Sequence, residues 1–302
     1  MTIPDFQSIM LPLLKFIGDG QEHNNHEIAD ALALQLGLTD EEREEMLPSG
    51  RQTRFGNRAA WAKAYLKMAS LLESTGRGRC RITYRGLSVL KDDPPNINIK
   101  FLKQFPGYLE HRRGSTPAGD HDLEDSETSQ TPIEVLETSY QDLRRELAQE
   151  LLEQIMSCSP RFFENLVLDL LVAMGYGGSW KDAVQAVGRS GDGGIDGIIK
   201  EDKLGLDVVY IQAKRWEGTV GRPVVQAFAG SLMGQNARKG VLIITSQFSK
   251  DAEEYVTALP QTKIVLIDGY ELAQLMIDHG IGVTKVASYD VKKTDLDYFG
   301  EE

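Results

Sequence analysis

Residues 188–199 read GRSGDGGIDGII, and residues 209–216 read VYIQAKRW. The first run sets Asp192 and Asp196 among glycines before Ile198 and Ile199. The second is an apolar run ending on Gln212, Ala213 and Lys214, with Gln212 sixteen residues after Asp196. Side chains two apart on a strand share a face, so Gln212 and Lys214 point one way while Ala213 packs the other. A lysine at a buried strand end is costly without an anionic partner. If Asp196 lies on the neighbouring strand, a carboxylate, an amide and an ammonium meet at one place. A divalent cation held there would polarise a phosphate and activate a water, and Lys214 would position that water and stabilise the developing negative charge.

Taken alone, each run has a plainer reading. GDGGIDG also suits a tight turn, because glycine permits positive φ, and Asp192 is then a turn former or an assistant at a metal site. It is not a dinucleotide fingerprint, because G-x-G-x-x-G fails at Asp196 and a strand follows instead of a helix. The flanking sequence supplies the context. Ser159 and Pro160 open a helix whose Phe163, Val167, Leu170, Leu171 and Met174 make an apolar face, and Gly175 stops it. Helices and strands then alternate: the strand 208–214, a helix over 224–234, a strand over 240–245, a helix over 250–259, a strand over 263–268 and a helix over 270–279. This order predicts an α/β domain with a mixed sheet over 157–302.

Upstream, residues 1–95 read as three helices and a hairpin. Phe6, Ile9, Met10, Leu13, Leu14 and Ile17 mark the first helix. Ile28, Leu32, Ala33 and Leu36 mark the second, capped by Asn25. The third begins near Asn57 and runs through Trp61, Tyr65, Met68 and Leu72 to a break at Gly76 and Gly78. Residues 79–84 alternate arginine with Cys80, Ile82 and Tyr84 in strand period. Three helices and a basic wing form a winged-helix-like pattern. The chain carries a net charge of −12, yet residues 51–91 hold ten Lys or Arg against the single acid Glu73. Solvated charge is the common fate of such runs. On this pattern Arg58, Lys63, Lys67, Arg79, Arg81 and Arg85 are the expected DNA contacts. Residues 96–156 form a linker and helical lead-in: 110–132 is rich in acids, Gly, Ser, Thr and Pro, and 133–156 is helically periodic.

The strings SPRFFENLVLDLLVAMGYGG (159–178), GRSGDGGIDGII and VYIQAKRW resemble the PD-(D/E)xK nuclease superfamily. Within it they resemble the catalytic domain of the Mrr family of bacterial restriction endonucleases directed at modified DNA, and residues 1–95 resemble that family's N-terminal domain. The resemblance implies that Asp196 is the essential acid, Lys214 the motif lysine and Glu164 an auxiliary acid. Glu164 near a helix N-terminus can equally be a dipole partner. Gln212 stands where the wider superfamily has Asp or Glu. An amide oxygen can ligate a cation but brings no charge, so the ligand set is Asp196, Gln212 and Glu164, with Mg²⁺ the expected ion.

The function implied is metal-dependent hydrolysis of methylated duplex DNA. One site per strand is needed, met by a homodimer, a larger homo-oligomer or sequential nicking. The rival reading, favoured by Gln212 alone, is a non-catalytic DNA-binding regulator on a degenerate nuclease fold. The catalytic residues do not exclude RNA, but the winged module favours duplex DNA. Gln226 either lines the cleft or faces solvent. Arg215, Trp216 and Arg222 either touch phosphate or serve the fold. Cys80 and Cys158 have no metal spacing and read as buried structural thiols, and the five histidines are scattered. No apolar run approaches the roughly 20 residues that cross a bilayer, and no signal peptide is evident, so a cytoplasmic protein is expected.

Overall fold

The computed structural model describes residues 2–76, 78–113, 129–177, 194–201, 207–292, 294, 295 and 298, with side chains throughout except at 111–113. Arg77, most of the acidic linker, Asp192 and the glycines before Gly194 lie outside the described residues. Met1–Tyr140 with Asp290–Glu302 form one compact unit, and Gln141–Tyr289 form a second.

In the first unit, the Asp5 carboxylate accepts the Gln7 and Ser8 amides and opens α1 (Phe6–Phe16), whose Phe6, Ile9, Met10, Leu13 and Leu14 are buried. A 3₁₀ turn (Ile17–Asp19) leads to β1 (His23–Asn24) and α2 (Asn25–Gln35). The α2 cap is Asn24, one residue before the expected Asn25, and Glu27 completes a capping box with it. After the short α3 (Asp40–Glu44), α4 (Arg54–Met68) starts at Thr53, whose hydroxyl accepts the Gly56 amide at 3.1 Å, three residues ahead of the expected start at Asn57.

The expected extension of this helix to Leu72 fails. Ser70 takes a left-handed φ of 57°, which no helix continues. The chain turns there, and Leu72–Gly76 is already β2, paired antiparallel with β3 (Arg79–Ile82); β1 joins the other edge, giving the order β1-β3-β2.

The boundary expected at residue 95 cuts through a core. Helices α5 (Tyr84–Lys91), α6 (Ile99–Leu102) and α7 (Pro106–Arg113) follow the wing, and Ile97, Ile99, Leu102 and Tyr108 are buried with Phe6, Leu13 and Leu66. The periodicity of α6 is too short to read, which is why the sequence pattern stops at the wing. Helix α8 (Pro132–Ser157) falls where the apolar spacing puts it.

In the second unit, the Ser159 hydroxyl accepts the Phe162 amide at 3.2 Å and Pro160 takes the first helical position, so α9 (Pro160–Ala173) begins as expected; Gly175, at φ 102°, ends it. The sheet comprises β4 (Gly197–Lys200), β5 (Val208–Lys214), β6 (Lys239–Ile244) and β7 (Lys263–Ile267), in that spatial order. β4 is antiparallel to β5, and β5, β6 and β7 are parallel, a mixed sheet. Helices α10 (Arg222–Gly234) and α11 (Lys250–Thr257) supply the crossovers, and α12 (Gly269–His279) closes the run.

Strand period divides the sheet into two faces. Ile199, Ile211, Ile243 and Ile267 pack with Phe163, Val167, Leu170 and Met276. Leu242, Ile244 and Ile264 pack with Val225, Phe228 and Leu232. Each face is a separate apolar layer, so β5 is covered on both sides and reads as a nearly continuous apolar run until Gln212. Among the described residues no helix is long and apolar enough to cross a membrane. Cys80 is buried as expected, whereas Cys158 is only half-buried.

Candidate active site

The β4–β5 register carries Asp196 to the mouth of the sheet. Gly197 opposes Ile211, and the Asp196 amide donates to the Ile211 carbonyl at 2.8 Å. One carboxylate oxygen, Oδ2, accepts the Ala213 amide at 2.8 Å. That bond fixes the carboxylate between the backbones of the two strands. Burial pushes the Asp196 carboxyl above the usual aspartate value, opposed by the Ala213 hydrogen bond and the Lys214 charge. The expected meeting of Asp196 with the QAK strand is therefore present.

Gln212 is 4% exposed. Its amide nitrogen donates to the Gly194 carbonyl, and its oxygen Oε1 is buried with no hydrogen-bond partner among the described residues. A buried acceptor without a donor is costly, on the order of 1–3 kcal/mol. The Gly194 contact turns the amide so that the oxygen is the atom presented. Gly194 takes φ +91°, where an L side chain is strained, and a Cβ there would stand 2.5 Å from the Gln212 amide nitrogen and displace that amide. The sequence pattern does not mark this residue, because its role depends on contact across the turn.

Lys214 is half-buried at the end of β5, on the Gln212 side of the strand. Glu164 lies in the second turn of α9. Burial is the first cause, and the Asp196 charge the second, of a pKa raised above the usual glutamate value, with Arg161 opposing both. A glutamate that feels the Asp196 charge stands near the site, beyond what a helix-end dipole partner needs. Among the described residues no group of three or more His, Cys, Asp and Glu is arranged to hold a metal.

Among the flanking residues, Arg215 serves the fold through its side chain, whereas Trp216 is held by its backbone and leaves its ring exposed. The Arg215 guanidinium donates to the Met156 and Cys158 carbonyls, tying the end of β5 to the end of α8. The Trp216 amide donates to the Thr245 hydroxyl and its carbonyl accepts from the same hydroxyl, each at 2.8 Å. Arg222 lies over the Tyr255 ring at 5.0 Å and 3.5 Å from Asp251. Gln226 is exposed on α10.

The basic island is also partly internal. Arg58 donates to a buried Glu134 carboxylate at 2.9 Å and to the Ile3 and Pro4 carbonyls at 2.6 and 3.1 Å, leaving its side chain 11% exposed. The expectation that Arg58 contacts DNA is corrected: a side chain holding the N-terminus and α8 to α4 has no reach to spare. Lys63 is half-buried with its ammonium on the Asn25 side-chain oxygen, and Lys67 donates to the Ser74 hydroxyl at 2.6 Å. Arg79, Arg81 and Arg85 are exposed. Arg81 pairs with Glu73 at 2.7 Å, and Arg79 lies 3.8 Å from Glu22.

A strand-end acid, a buried amide whose oxygen has no partner among the described residues and a lysine on one mixed sheet, in a chain that opens with a winged-helix-like unit, are the arrangement expected of a nuclease of the restriction type. Residues 155–276 match the restriction endonuclease domain of the Mrr family, and residues 6–92 match the Mrr N-terminal domain. The chain belongs to the Mrr family of restriction endonucleases. It is 38% identical over 313 aligned residues to the type IV methyl-directed restriction enzyme EcoKMrr of Escherichia coli (strain K12), covering 99% of this chain and all of that relative. Among solved structures, the MspJI restriction endonuclease in complex with a 27-mer oligonucleotide is similar at 22% identity and a TM-score of 0.28, over 61% of this chain and 38% of that one. The protein is accordingly a DNA endonuclease, and the reading of a non-catalytic regulator is set aside. Enzymes of this kind generally use divalent metal ions.

Proposed function

We propose that the protein hydrolyses phosphodiester bonds of methylated duplex DNA at a site made of Asp196, Gln212, Lys214 and Glu164, with Mg²⁺ as the ion. The observation that carries the site is the Gln212 oxygen, buried and without a hydrogen-bond donor among the described residues, on the strand whose Ala213 amide holds the Asp196 carboxylate. An atom in that position is stabilised by a cation, and the chemistry of the set, two carboxylates and an amide oxygen, suits a hard divalent ion. Asp196, Gln212 and Glu164 would hold it. When bound, the ion lowers the pKa of a water and polarises the phosphate.

The chain's own groups do the rest. The Ala213 amide keeps one Asp196 oxygen occupied, which orients the other toward the ligand position. The Gly194 carbonyl sets the Gln212 amide. Lys214 carries a positive charge and a transferable proton at Nζ, so it orients the attacking water and offsets charge building on the phosphate oxygens.

These groups touch phosphate only, so preference for methylated DNA must come from another surface, and the winged unit is the candidate. The methyl-directed relative supports this substrate. Cutting both strands needs one site per strand, which a homodimer or larger homo-oligomer supplies, or else two successive nicks. The test is incubation of matched methylated and unmethylated plasmids with the purified protein, in Mg²⁺ and in EDTA. Nicking of methylated plasmid in Mg²⁺ alone is expected. Cleavage that survives EDTA overturns the metal mechanism, and equal cleavage of both plasmids overturns the substrate.

A further inference from the structure

Helices α2 and α4 of the first unit leave a notch of about 390 Å³ between them. Its wall is Ile28 and Ala29 on α2 with Gly56 and Ala60 on α4, and Asn25 and Lys63 stand on its rim. Small side chains at this crossing make a recess where larger ones would make a ridge. The rim is chemically different from the wall. Lys63 donates to the Asn25 oxygen, and the third polar residue of the lining, His26, has its ring 2.7 Å from the Asp30 carboxylate, so the donors left to the recess are the ammonium and the Asn25 NH₂. Ala60 is exposed, so the recess opens to solvent. Lys67 is a turn beyond Lys63 on α4, and the exposed Arg79 and Arg81 belong to the neighbouring wing.

We propose that this notch reads the methyl group of 5-methylcytosine in the major groove. The assignment rests on the reading of the protein as an enzyme of methylated duplex DNA. The C5 methyl is an apolar knob on a groove edge that is otherwise polar, and the guanine paired with that cytosine presents O6 and N7, two acceptors, in the same groove. An apolar recess with donors on its rim matches that base pair: Ile28, Ala29 and Ala60 enclose the methyl, while Lys63 and Asn25 face the acceptors. N6-methyladenine fits less well, because its methyl sits on the donor nitrogen itself and its partner thymine brings one acceptor and a second methyl. The occupant is drawn to this face by the complementary charge of Lys63, Lys67 and the wing arginines, whose counter-surface is phosphate.

The experiment is a binding titration of the full-length protein, in EDTA so that nothing is cut, against three duplexes of one sequence: unmodified, with 5-methylcytosine, and with N6-methyladenine. The wild type should prefer the 5-methylcytosine duplex by about fourfold for each methyl enclosed, the effect of removing one methyl-sized apolar group from water. Ala60→Leu fills the recess from α4 and Ala29→Leu fills it from α2; each should bring the ratio of methylated to unmodified affinity close to one, and thermal melting reports whether each variant folds. If both folded variants keep the wild-type ratio, the notch is not the reader, although the enzyme's action on methylated DNA would stand. Should only one variant fold, the ratio in that one decides. A wild-type preference for the N6-methyladenine duplex would overturn the base assigned. A wild type with no preference in binding and none in plasmid cleavage would overturn the underlying reading itself.

Discussion

At position 196 a carboxylate is held where burial opposes its ionised form. A folded-state pKa raised above the unfolded value means that the group's contribution to stability is present below the unfolded pKa and is lost as pH rises through the folded one. At neutral pH the charged side chain is therefore a cost to the metal-free fold. Asp196→Asn keeps an oxygen to accept the Ala213 amide and removes that cost. The variant should melt above the wild type at pH 7 without metal, lose the stabilisation that Mg²⁺ confers on the wild type, and have no measurable cleavage. A variant that melts lower would show that the carboxylate is held by something other than a ligand's place. Gly194→Ala tests the neighbouring contact: the added methyl meets the Gln212 amide at a positive φ, so about 1–3 kcal/mol of backbone strain and a displaced amide should follow. Cleavage should fall well beyond what its melting temperature explains, measured under conditions where the variant is folded. Strand period made it legible that Gln212 and Lys214 share one side of a strand, whereas the place of Asp196 beside that strand was left open by period and was carried by the family resemblance. Gly194 was not legible, because no pattern in one dimension says whose carbonyl an amide will meet.

Among the elements, α4 and the wing show why charge in a sequence is an unsafe guide to a surface. Counting bases over 51–91 marks Arg58 as equal to Arg79, but the acids that answer some of these arginines, Glu22, Glu45 and Glu134, lie outside that window and are supplied by the fold. Two different outcomes follow. Arg58→Ala leaves the buried Glu134 with the Thr131 amide at 2.8 Å and, as its remaining cation, Arg54 at 3.9 Å, and should cost on the order of 2–3 kcal/mol of stability, read by denaturant unfolding, with little change in the salt dependence of DNA binding. Neutralising Arg79, Arg81 and Arg85 together should leave stability near wild type and make the slope of log affinity against log salt shallower by up to about 2.7, which is roughly 0.9 for each phosphate that no longer meets an arginine. An unchanged slope would mean that the wing faces away from DNA. The helices α1, α8 and α9 were readable from apolar spacing and caps. The turn at Ser70 was not, since serine at a left-handed φ leaves no mark in the sequence.

Over the whole molecule, the division into a winged-helix-like unit and an α/β unit was legible from the change of period and charge along the chain. The extent of the first unit was not, because Ile97, Leu102 and Tyr108 lie in segments too short to show a period and are recruited by a core that already existed. On the proposed reading, recognition falls to one unit and cutting to the other, and the cut depends on the Asp196, Gln212 and Lys214 face. Lys214 sits at the rim of the core, half-buried, where a change to alanine removes an ammonium and little packing. The decisive measurement is therefore nicking of methylated plasmid in Mg²⁺ by the wild type and by Lys214→Ala, at concentrations giving equal DNA occupancy in a binding assay. Loss of one preorganised charge at the transition state should slow cleavage by at least about 10²- to 10³-fold with binding retained; a variant cutting within tenfold of the wild type would show that the cut does not depend on this face.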